Sequence, residues 1–332
     1  LLAARHASHV VATDISPRAL NVTAFNALLN GVANVECRQG NFYEPVDGET
    51  FDCITTNPPF VISPDRRYIY RDSSRPGDAL CAELLGQLPD YLREGGIGHM
   101  LGNWACQPDG DWADPPRSWL DKRGCDVLAL LHEFDDPLTY AARWLRGEWH
   151  AHSQGYGSAL DRWLGYYRAC AINAIASGGV VVRKRRGVNW FQGFSVGAEM
   201  HGYCGDQLNR LLSIQDYCTN HLRTAEDLLD CRLKLREHRL EQVSYFERDR
   251  HQVHSSLLRL QEPMPLPIGI DRFGIQLLSK CDGRHTLRDV LGDVAARYDV
   301  DLDAMIPLAL ASIRNLVARG FLLPVELSAG AR

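Results

Sequence analysis

The sequence lacks long apolar runs and any excess of positive charge. No uninterrupted apolar stretch approaches the roughly 18–20 residues that a bilayer-crossing helix needs, which excludes membrane-spanning helices. The chain carries 36 basic and 41 acidic side chains, a formal net charge of −5. Because the molecule as a whole is not a polycation, a nucleic-acid partner would need a local basic patch.

Closely spaced cysteine pairs are also missing, although the chain has 10 cysteines. None forms a C-x-x-C pair, and their spacing resembles neither a zinc site nor a disulfide-rich secreted scaffold. The first residues lack the charged start and the long apolar stretch of a secretory signal. Since several cysteines sit inside apolar runs, we interpret them as small core residues of a protein in the reducing cytoplasm.

The length of 332 residues, at about 150 residues per domain, predicts two domains. A hydrophobic share of 45% and a charged share of 23% are ordinary for globular proteins. The hydrophobic pattern changes around residues 197–205. We therefore expect a first domain over 1–200 and an accessory domain over 206–332.

Short apolar segments alternate with helical periodicity in the first domain. This alternation predicts a parallel, doubly wound, Rossmann-like α/β sheet. The last two predicted strands are separated by a helical insertion over 137–176. The predicted strands cover 10–14, 35–39, 51–56, 97–101, 125–131 and 179–183, and the predicted helices cover 18–30 and 78–92.

The accessory domain is expected to have an α+β, winged-helix-like fold, because three helices precede a short terminal strand. The predicted elements are a helical stretch over 208–235, an antiparallel hairpin over 238–260, helices over 272–281, 286–297 and 302–319, and a strand over 321–323.

The last helix of this domain is poor in groups that bind DNA. Over 302–319 it offers only Arg314, Asn315 and Arg319, without the clustered positive charge that phosphate contacts favour. We therefore expect the accessory domain to dock on the first domain or on a protein partner, and not to read DNA sequence.

Asp14 is the first candidate functional residue, because it ends a predicted strand. Ligands of open parallel sheets bind outside the carboxyl ends of the strands, where a carboxylate can accept both hydroxyl hydrogens of a ribose. Alternatively, Asp14 only caps the helix that follows.

The tetrapeptide Asn57-Pro58-Pro59-Phe60 is the most specific signal in the sequence. Two prolines directly after a strand cannot extend the sheet, and they stiffen the turn. That rigidity would aim the Asn57 amide oxygen and the Pro58 carbonyl at one point, where they could hold a planar amino group. Phe60 could stack on the flat face of that group.

With these segments the sequence resembles class I S-adenosylmethionine-dependent methyltransferases, in the branch with an N-P-P-[YF] signature. The resemblance covers roughly residues 1–185 and rests on V-A-T-D-I-S-P at 11–17, Q-G-N-F at 39–42 and F-D-C-I-T-T-N-P-P-F at 51–60. Glutamine-N5 methyltransferases of release factors and guanine-N2 methyltransferases of ribosomal RNA are similar. The continuation, with Tyr70-Arg71-Asp72 and Gly77-Asp78-Ala79-Leu80, resembles an actinobacterial-type group of methyltransferase small domain proteins with extra terminal domains.

The resemblance implies a role for each site residue. Asp14 would hold the cofactor ribose and Ile15 would pack on the adenine, while Asn41 and Phe42 would line the adenine pocket. Many relatives have an acid where Asn41 stands, but an amide oxygen can still accept from the adenine amino group. The family's first strand and glycine-rich loop would precede Leu1, so we expect the sequence to begin inside the domain.

These observations favour an S-adenosylmethionine-dependent N-methyltransferase that acts on a planar nitrogen of a macromolecule, with RNA as the favoured substrate. The alternatives are a protein glutamine-N5 methyltransferase, and a non-catalytic binding protein with a degenerate methyltransferase fold. No metal and no membrane partner is implied.

Three weaker features favour structural interpretations. His150 and His152 have no partners at zinc spacing. The basic run over 183–186 is interpreted as a solvated strand end rather than a phosphate site. The aromatic residues of the helical insertion could form a substrate wall, but burial against the sheet is favoured; they are Trp144, Trp149, Trp163, Tyr166 and Tyr167.

Overall fold

A computed structural model describes residues 1–73, 75–146, 154–197, 199–247 and 250–328. In the first 200 residues, strands and helices alternate and form a mixed α/β architecture. The strands are β1 (Val10–Asp14), β2 (Val35–Gln39), β3 (Phe51–Thr56), β4 (Leu92–Cys106), β5 (Cys125–Asp135), β6 (Ala174–Lys184) and β7 (Phe191–Ser195). The helices are α1 (Pro17–Leu29), α2 (Ala79–Gln87), α3 (Asp114–Trp119), α4 (Pro137–Arg146) and α5 (Gln154–Ala169).

The strands of this part form two sheets. β1 and β2 form a parallel pair in which Asp14 lies opposite Gln39. A five-stranded sheet has the order β3-β4-β6-β5-β7, with β3 parallel to β4 and β5 parallel to β7. Asn57 directly follows β3 and therefore lies at the carboxyl end of the parallel pair β3-β4.

The expectation of an all-parallel sheet is wrong at β6, which runs antiparallel to both of its neighbours, β4 and β5. Asp135 at the end of β5 lies opposite Ile175 near the start of β6. The helices α4 and α5 thus return the chain to the end of the sheet that it left. A parallel neighbour would need a crossover that carries the chain back along the whole sheet.

β1 and β3 are less buried than the apolar composition of their segments suggests. Every residue of β1 is at least partly exposed, and Cys53 and Thr55 of β3 are exposed. Within the described part of the chain, β1 pairs with β2 alone and β3 pairs with β4 alone. Each is thus an edge strand, and hydrophobic periodicity does not distinguish an edge strand from a central one.

The described residues from 199 onward combine helices with two small antiparallel sheets, of order β12-β8-β13 and β11-β10-β9. The helices are α6 (Gly205–His221), α7 (Ala225–Leu229), α8 (Arg272–Lys280), α9 (Leu287–Tyr298), α10 (Leu302–Ala318) and α11 (Val325–Ser328). The strands are β8 (Arg232–Leu235), β9 (His238–Glu247), β10 (Arg250–Leu260), β11 (Ile268–Gly269), β12 (Asp282–Thr286) and β13 (Leu322–Pro324).

The predicted hairpin and the three later helices are present, but the helical stretch over 208–235 is wrong at its end. Residues 232–235 form β8, the central strand between β12 and β13. Leu233 is buried while its neighbours Arg232 and Lys234 are exposed, which is the alternation of a strand.

The C-terminal part packs directly on the five-stranded sheet. Leu128 of β5, Val181 of β6 and Phe194 of β7 belong to the same buried apolar cluster as Leu211 and Ile214 of α6. Burial of these apolar side chains in one shared core stabilises the contact between the sheet and the C-terminal part. The domain boundaries over 1–200 and 206–332 stay a prediction.

An ion-pair cluster built around the buried carboxylate of Asp126 lies at the same junction. Asp126 of β5 accepts hydrogen bonds from Arg183 of β6 at 2.6 and 3.0 Å. Arg185 Nη1 lies 2.7 Å from Oδ1 of Asp216 on α6, and Arg183 Nη2 lies 2.5 Å from the same oxygen. Burial opposes ionisation of Asp216, but the hydrogen bonds from Arg183 and Trp190 outweigh it and hold its pKa below the usual value. The interpretation of the basic run as a solvated strand end is therefore wrong for Arg183 and Arg185.

Arg314 of α10 and Arg319, the residue that directly follows α10, are half-buried and have partners within the protein. Arg314 donates to the backbone oxygens of Leu222 and Thr224, each at 2.7 Å. Arg319 donates to Asn315 Oδ1 at 2.9 Å, and its guanidinium lies 5.0 Å from the centre of the Phe194 ring. Both side chains thus stabilise the position of α10 against the residues that surround it.

We expect the full chain to show no tight binding to duplex DNA, because Arg314 and Arg319 already have protein partners. A filter-binding titration at physiological salt should give a Kd no tighter than about 10⁻⁶ M, the range of non-specific binding. Sequence-selective, salt-sensitive binding that Arg314→Ala weakens would contradict this expectation.

None of the helices in the described ranges combines the length and the apolar character that a bilayer crossing requires.

Candidate active site

Asp14 lies at the carboxyl end of β1, with an exposed side chain. Its Oδ1 accepts a hydrogen bond of 2.7 Å from the backbone N–H of Ser16. The N-cap of α1 is Ser16, whose hydroxyl accepts from the N–H of Ala19 at 3.4 Å. The N-cap position thus belongs to Ser16, while Asp14 accepts from the backbone N–H of that same residue. The ribose role and the capping role of Asp14 both stay predictions. The exposed carboxylate can accept hydrogen bonds from a ligand.

Gly40 brings the loop after β2 close to Asp14. Its N–H donates to the backbone oxygen of Asp14 at 3.1 Å. A Cβ at Gly40 would lie 2.4 Å from Cγ of Pro45, so the packing of Pro45 against this position requires glycine. The side chain of Ile15, which follows Asp14, is 59% exposed.

Asn41 and Phe42 follow in the same loop and are half-buried. The backbone oxygen of Phe42 accepts from the Thr13 hydroxyl at 3.2 Å, which places it beside the end of β1. Phe42 has a φ of +47°, in the left-handed region that non-glycine residues rarely adopt. The structure thus brings Asp14, Ile15, Asn41 and Phe42 together at one end of the pair β1-β2.

The second group of site residues lies after β3. Asn57 is exposed and Pro58 is buried, while Pro59 and Phe60 are half-buried. Phe60 contacts two apolar clusters, one around α2 and β4 and the other around α4 and α5. Phe42 contacts the first of these clusters, so both candidate groups rest on one core.

A turn rich in buried polar groups follows this tetrapeptide, and we did not predict a function for it. The carboxylate of Asp72 accepts from the N–H groups of Arg67 and Tyr68, each at 3.0 Å, and from Nε of Arg71 at 2.7 Å. Burial alone would raise the pKa of Asp72, but the hydrogen bonds from Arg71 and Tyr68 lower it below its usual value. The sequence signal for this turn was the triplet Tyr70-Arg71-Asp72.

The aromatic residues of the helical insertion are mostly buried. Trp163 and Tyr167 are fully buried on α5, and Trp144 and Tyr166 are packed against the same cluster. Burial was the favoured interpretation over a substrate wall. Trp149, as well as His150 and His152, lies outside the described residues. Elsewhere in the described chain, no group of three His, Cys, Asp or Glu side chains could hold a metal ion.

Two surface depressions lie away from the candidate residues. One is lined by 235–238 and Gln261, and the other by 47–50, Gln87, Asp90 and Tyr91. Neither of these two depressions includes Asp14 or Asn57.

Comparison with protein families supports the resemblance stated from the motifs. Residues 1–97 match the family described as "Methyltransferase small domain". This segment contains Asp14, Asn41 and the tetrapeptide that begins at Asn57. Residues 210–324 match a "Domain of unknown function (DUF7782)". The resemblance to methyltransferases is thus confirmed over the N-terminal segment.

The similar curated proteins are methyltransferases by name. A release factor glutamine methyltransferase of Xylella fastidiosa is 36% identical over 141 residues, which are 40% of this chain and 49% of that protein. A protein of Methanocaldococcus jannaschii named as an N5-glutamine methyltransferase is 30% identical over 105 residues, 30% of this chain and 52% of that protein. The chain thus spans about half the length of these relatives.

Among solved structures, an rRNA methylase from Streptococcus thermophilus has 17% identity and a TM-score of 0.29, over 54% of this chain and 76% of that chain. At this score the similarity carries no argument about function.

Proposed function

We propose that this protein is an S-adenosylmethionine-dependent methyltransferase that modifies a planar nitrogen. The observation that carries the proposal is the placement of Asp14 and of Asn57-Pro58-Pro59-Phe60 at strand ends, within a segment that matches the methyltransferase small domain. Ligands of open α/β sheets bind at such strand ends.

The residues near β1 fit the cofactor in their chemistry. The exposed carboxylate of Asp14 can accept from ribose hydroxyls, and the exposed side chain of Ile15 can cover one face of an adenine. Asn41 offers an amide oxygen to the adenine amino group, beside the ring of Phe42. When bound, S-adenosylmethionine supplies a methyl group on a cationic sulfur, which is a strong electrophile.

Asn57 and Pro58 would orient the acceptor. The amide oxygen of Asn57 and the carbonyl of Pro58 accept the two N–H groups of a planar amino or amide nitrogen, which turns its lone pair toward the methyl group. In a single in-line transfer the N–C bond would form as the bond between the methyl carbon and sulfur breaks. The electron pair of that bond would stay on sulfur as a neutral thioether, and the nitrogen would lose one proton to water. The protein contributes mainly proximity and orientation, and Phe60 supports the flat face of the acceptor.

A glutamine side chain of a protein is the acceptor that the sequence relatives favour. The similar proteins of Xylella fastidiosa and Methanocaldococcus jannaschii are named for this modification. A primary amide is planar and carries two N–H groups, which matches two acceptors held by a rigid turn.

An amino group of an RNA base is the second candidate acceptor. The segment after Phe60 exposes the side chains of Arg66 and Tyr70, and Tyr70 is 74% exposed. Arginine can bind phosphate and tyrosine can stack on a base, so this surface supports RNA despite the net charge of −5.

Labelling with tritiated S-adenosylmethionine tests the acceptor. We expect the whole protein, incubated with fractionated lysate, to label a macromolecule, and the Asn57→Ala variant to label the same fractions at an initial rate about 100-fold lower. For a glutamine acceptor, the label resists ribonuclease and is released as methylamine by acid hydrolysis. For an RNA acceptor, ribonuclease releases it as a methylated nucleoside.

Two results would contradict the proposal in different ways. Label confined to small molecules would exclude a macromolecular acceptor. No label in any fraction, together with retained binding of S-adenosylmethionine, would favour a non-catalytic binding protein.

A further inference from the structure

Two buried tyrosines hold the backbone just after the tetrapeptide 57–60. The N–H of Ile62 donates to the hydroxyl oxygen of Tyr140 at 3.1 Å. The hydroxyl of Tyr167 donates to the carbonyl oxygen of the same Ile62 at 2.9 Å. Ile62 and Tyr140 are 0% exposed and Tyr167 is 1% exposed. Both backbone groups of one residue are therefore paired, away from water, with side chains of α4 and α5.

The Tyr140 hydroxyl is itself held in place from the sheet. The amide nitrogen of Asn103, which is 2% exposed and belongs to β4, donates to it. β4 is the neighbour of β3, the strand that leads into Asn57. The hydrogen bonds thus run from the sheet beside Asn57, through Tyr140, to Ile62.

The helices α4 and α5 fasten the same segment at two further points. Nε1 of Trp163 donates to Oδ2 of Asp65 at 2.9 Å, and Nη2 of Arg162 lies 2.5 Å from Oδ1 of the same carboxylate. The N–H of Gly77 donates to the Tyr166 hydroxyl at 2.7 Å. The segment between β3 and α2 is therefore attached to the insertion near its start and at its end.

The tetrapeptide is consequently held on both sides. On one side, β3 is paired with β4 up to Thr56, which lies opposite Met100. On the other side, only Val61 separates Phe60 from the doubly bonded Ile62. Small displacements of a group that orients an acceptor cost large factors in rate, so such anchoring matters for transfer.

We propose that Tyr140 and Tyr167 are positioning residues, whose hydroxyl groups fix Ile62 and thereby the orientation of Asn57 and Pro58 toward the methyl acceptor. This inference rests on the function proposed above. It also gives the helical insertion a role beyond burial of apolar surface, because the tyrosine hydroxyl groups form hydrogen bonds with the backbone N–H and carbonyl of Ile62.

Tyr140→Phe and Tyr167→Phe test the proposal, since each keeps the ring and removes only the hydroxyl. We expect each variant to lower kcat about 10- to 100-fold, with the Kd for S-adenosylmethionine unchanged within about twofold. Tyr156→Phe, at a half-buried tyrosine of α5, is the matched control and should keep the parental kcat.

Leu145→Ala separates positioning from general stability. Leu145 is fully buried on α4, so this variant should lower Tm at least as much as the tyrosine variants while keeping kcat near the parental value well below Tm. A parental kcat in Tyr140→Phe, or an equal loss of kcat in Leu145→Ala, would overturn the proposal.

Amide hydrogen exchange keeps the proposal testable even if the proposed function fails. In the parental protein the Ile62 amide should be protected, and Tyr140→Phe should accelerate exchange in the peptide 57–63 without a comparable change in β6. An Ile62 amide that exchanges equally fast in both proteins would overturn the positioning role, whatever the acceptor. Absence of methyl transfer by the parental protein, with Ile62 protected, would instead contradict the proposed function.

Discussion

Replacing Asn57 with alanine is expected to lower kcat for methyl transfer by about 100-fold or more, while the affinity for S-adenosylmethionine stays within about twofold. The amide oxygen of Asn57 orients the acceptor nitrogen, and removal of one pre-organised hydrogen-bonding group in an active site typically costs this factor. Cofactor affinity is expected to hold because Asp14 and its neighbours lie on the separate pair β1-β2. Single-turnover transfer and calorimetric cofactor binding measure the two quantities.

Two variants sharpen this experiment. Asn57→Asp keeps an oxygen acceptor at the same distance from the backbone and should retain more transfer than Asn57→Ala. Asn21→Ala, at an exposed position of α1, is the matched control and should leave kcat unchanged. Transfer by Asn57→Ala at close to the parental rate would show that Asn57 does not orient the acceptor.

The sequence predicts features that depend on local chemistry. Ser16-Pro17 marks the start of α1. The serine hydroxyl accepts a hydrogen bond from a backbone N–H of the first turn, and proline at the first helical position has no N–H that would need a partner. Thr286 likewise begins α9 with a capping box to Asp289. The tetrapeptide after β3 is a signal of the same local kind, so its place at a strand end was predictable.

Features that depend on distant contacts were not predictable. The antiparallel direction of β6 depends on how α4 and α5 return the chain, and the strand β8 exists because β12 and β13 pair with it. The bond between Ile62 and Tyr140 joins residues 78 positions apart. Hydrophobic periodicity indicates which face of a helix or strand is buried, but it does not indicate which other element packs against that face.

The candidate site likewise has features that the sequence predicts and features that it does not predict. The residue types and their place at strand ends follow from the motifs, and the structure groups Asp14, Ile15, Asn41 and Phe42 through contacts of Thr13 and Gly40. Asp72, Tyr140 and Tyr167 support the site through contacts between loops and helices that are far apart in the sequence. No local sequence pattern predicts that these elements contact each other. The roles of the site residues stay predictions until the variants are measured.

Asp126→Asn is expected to destabilise the protein by about 3–5 kcal/mol, the largest effect on stability that we predict. The Asp126 side chain is 0% exposed, and the guanidinium of Arg183, at 16% exposure, donates to it twice. An amide of the same size leaves Arg183 and Arg185 with Asp216 as the remaining carboxylate of this cluster. The Arg183 guanidinium would thus lose one of its two carboxylate partners, which is costly because little water can reach it in place of that partner.

Asp52→Asn is the matched control for this prediction, since it removes the negative charge from an ion pair that is exposed to solvent. Asp52 is 81% exposed and lies 2.8 Å from Arg93, so its loss should cost no more than about 1 kcal/mol. Urea titrations followed by tryptophan fluorescence give both free energies of unfolding. Because Asp126 lies in the sheet and Asp216 lies on α6, Asp126→Asn should also loosen the C-terminal part from the sheet, visible as a broader or split transition. A loss for Asp126→Asn no greater than that for Asp52→Asn would mean that the cluster at this junction does not hold the two parts together.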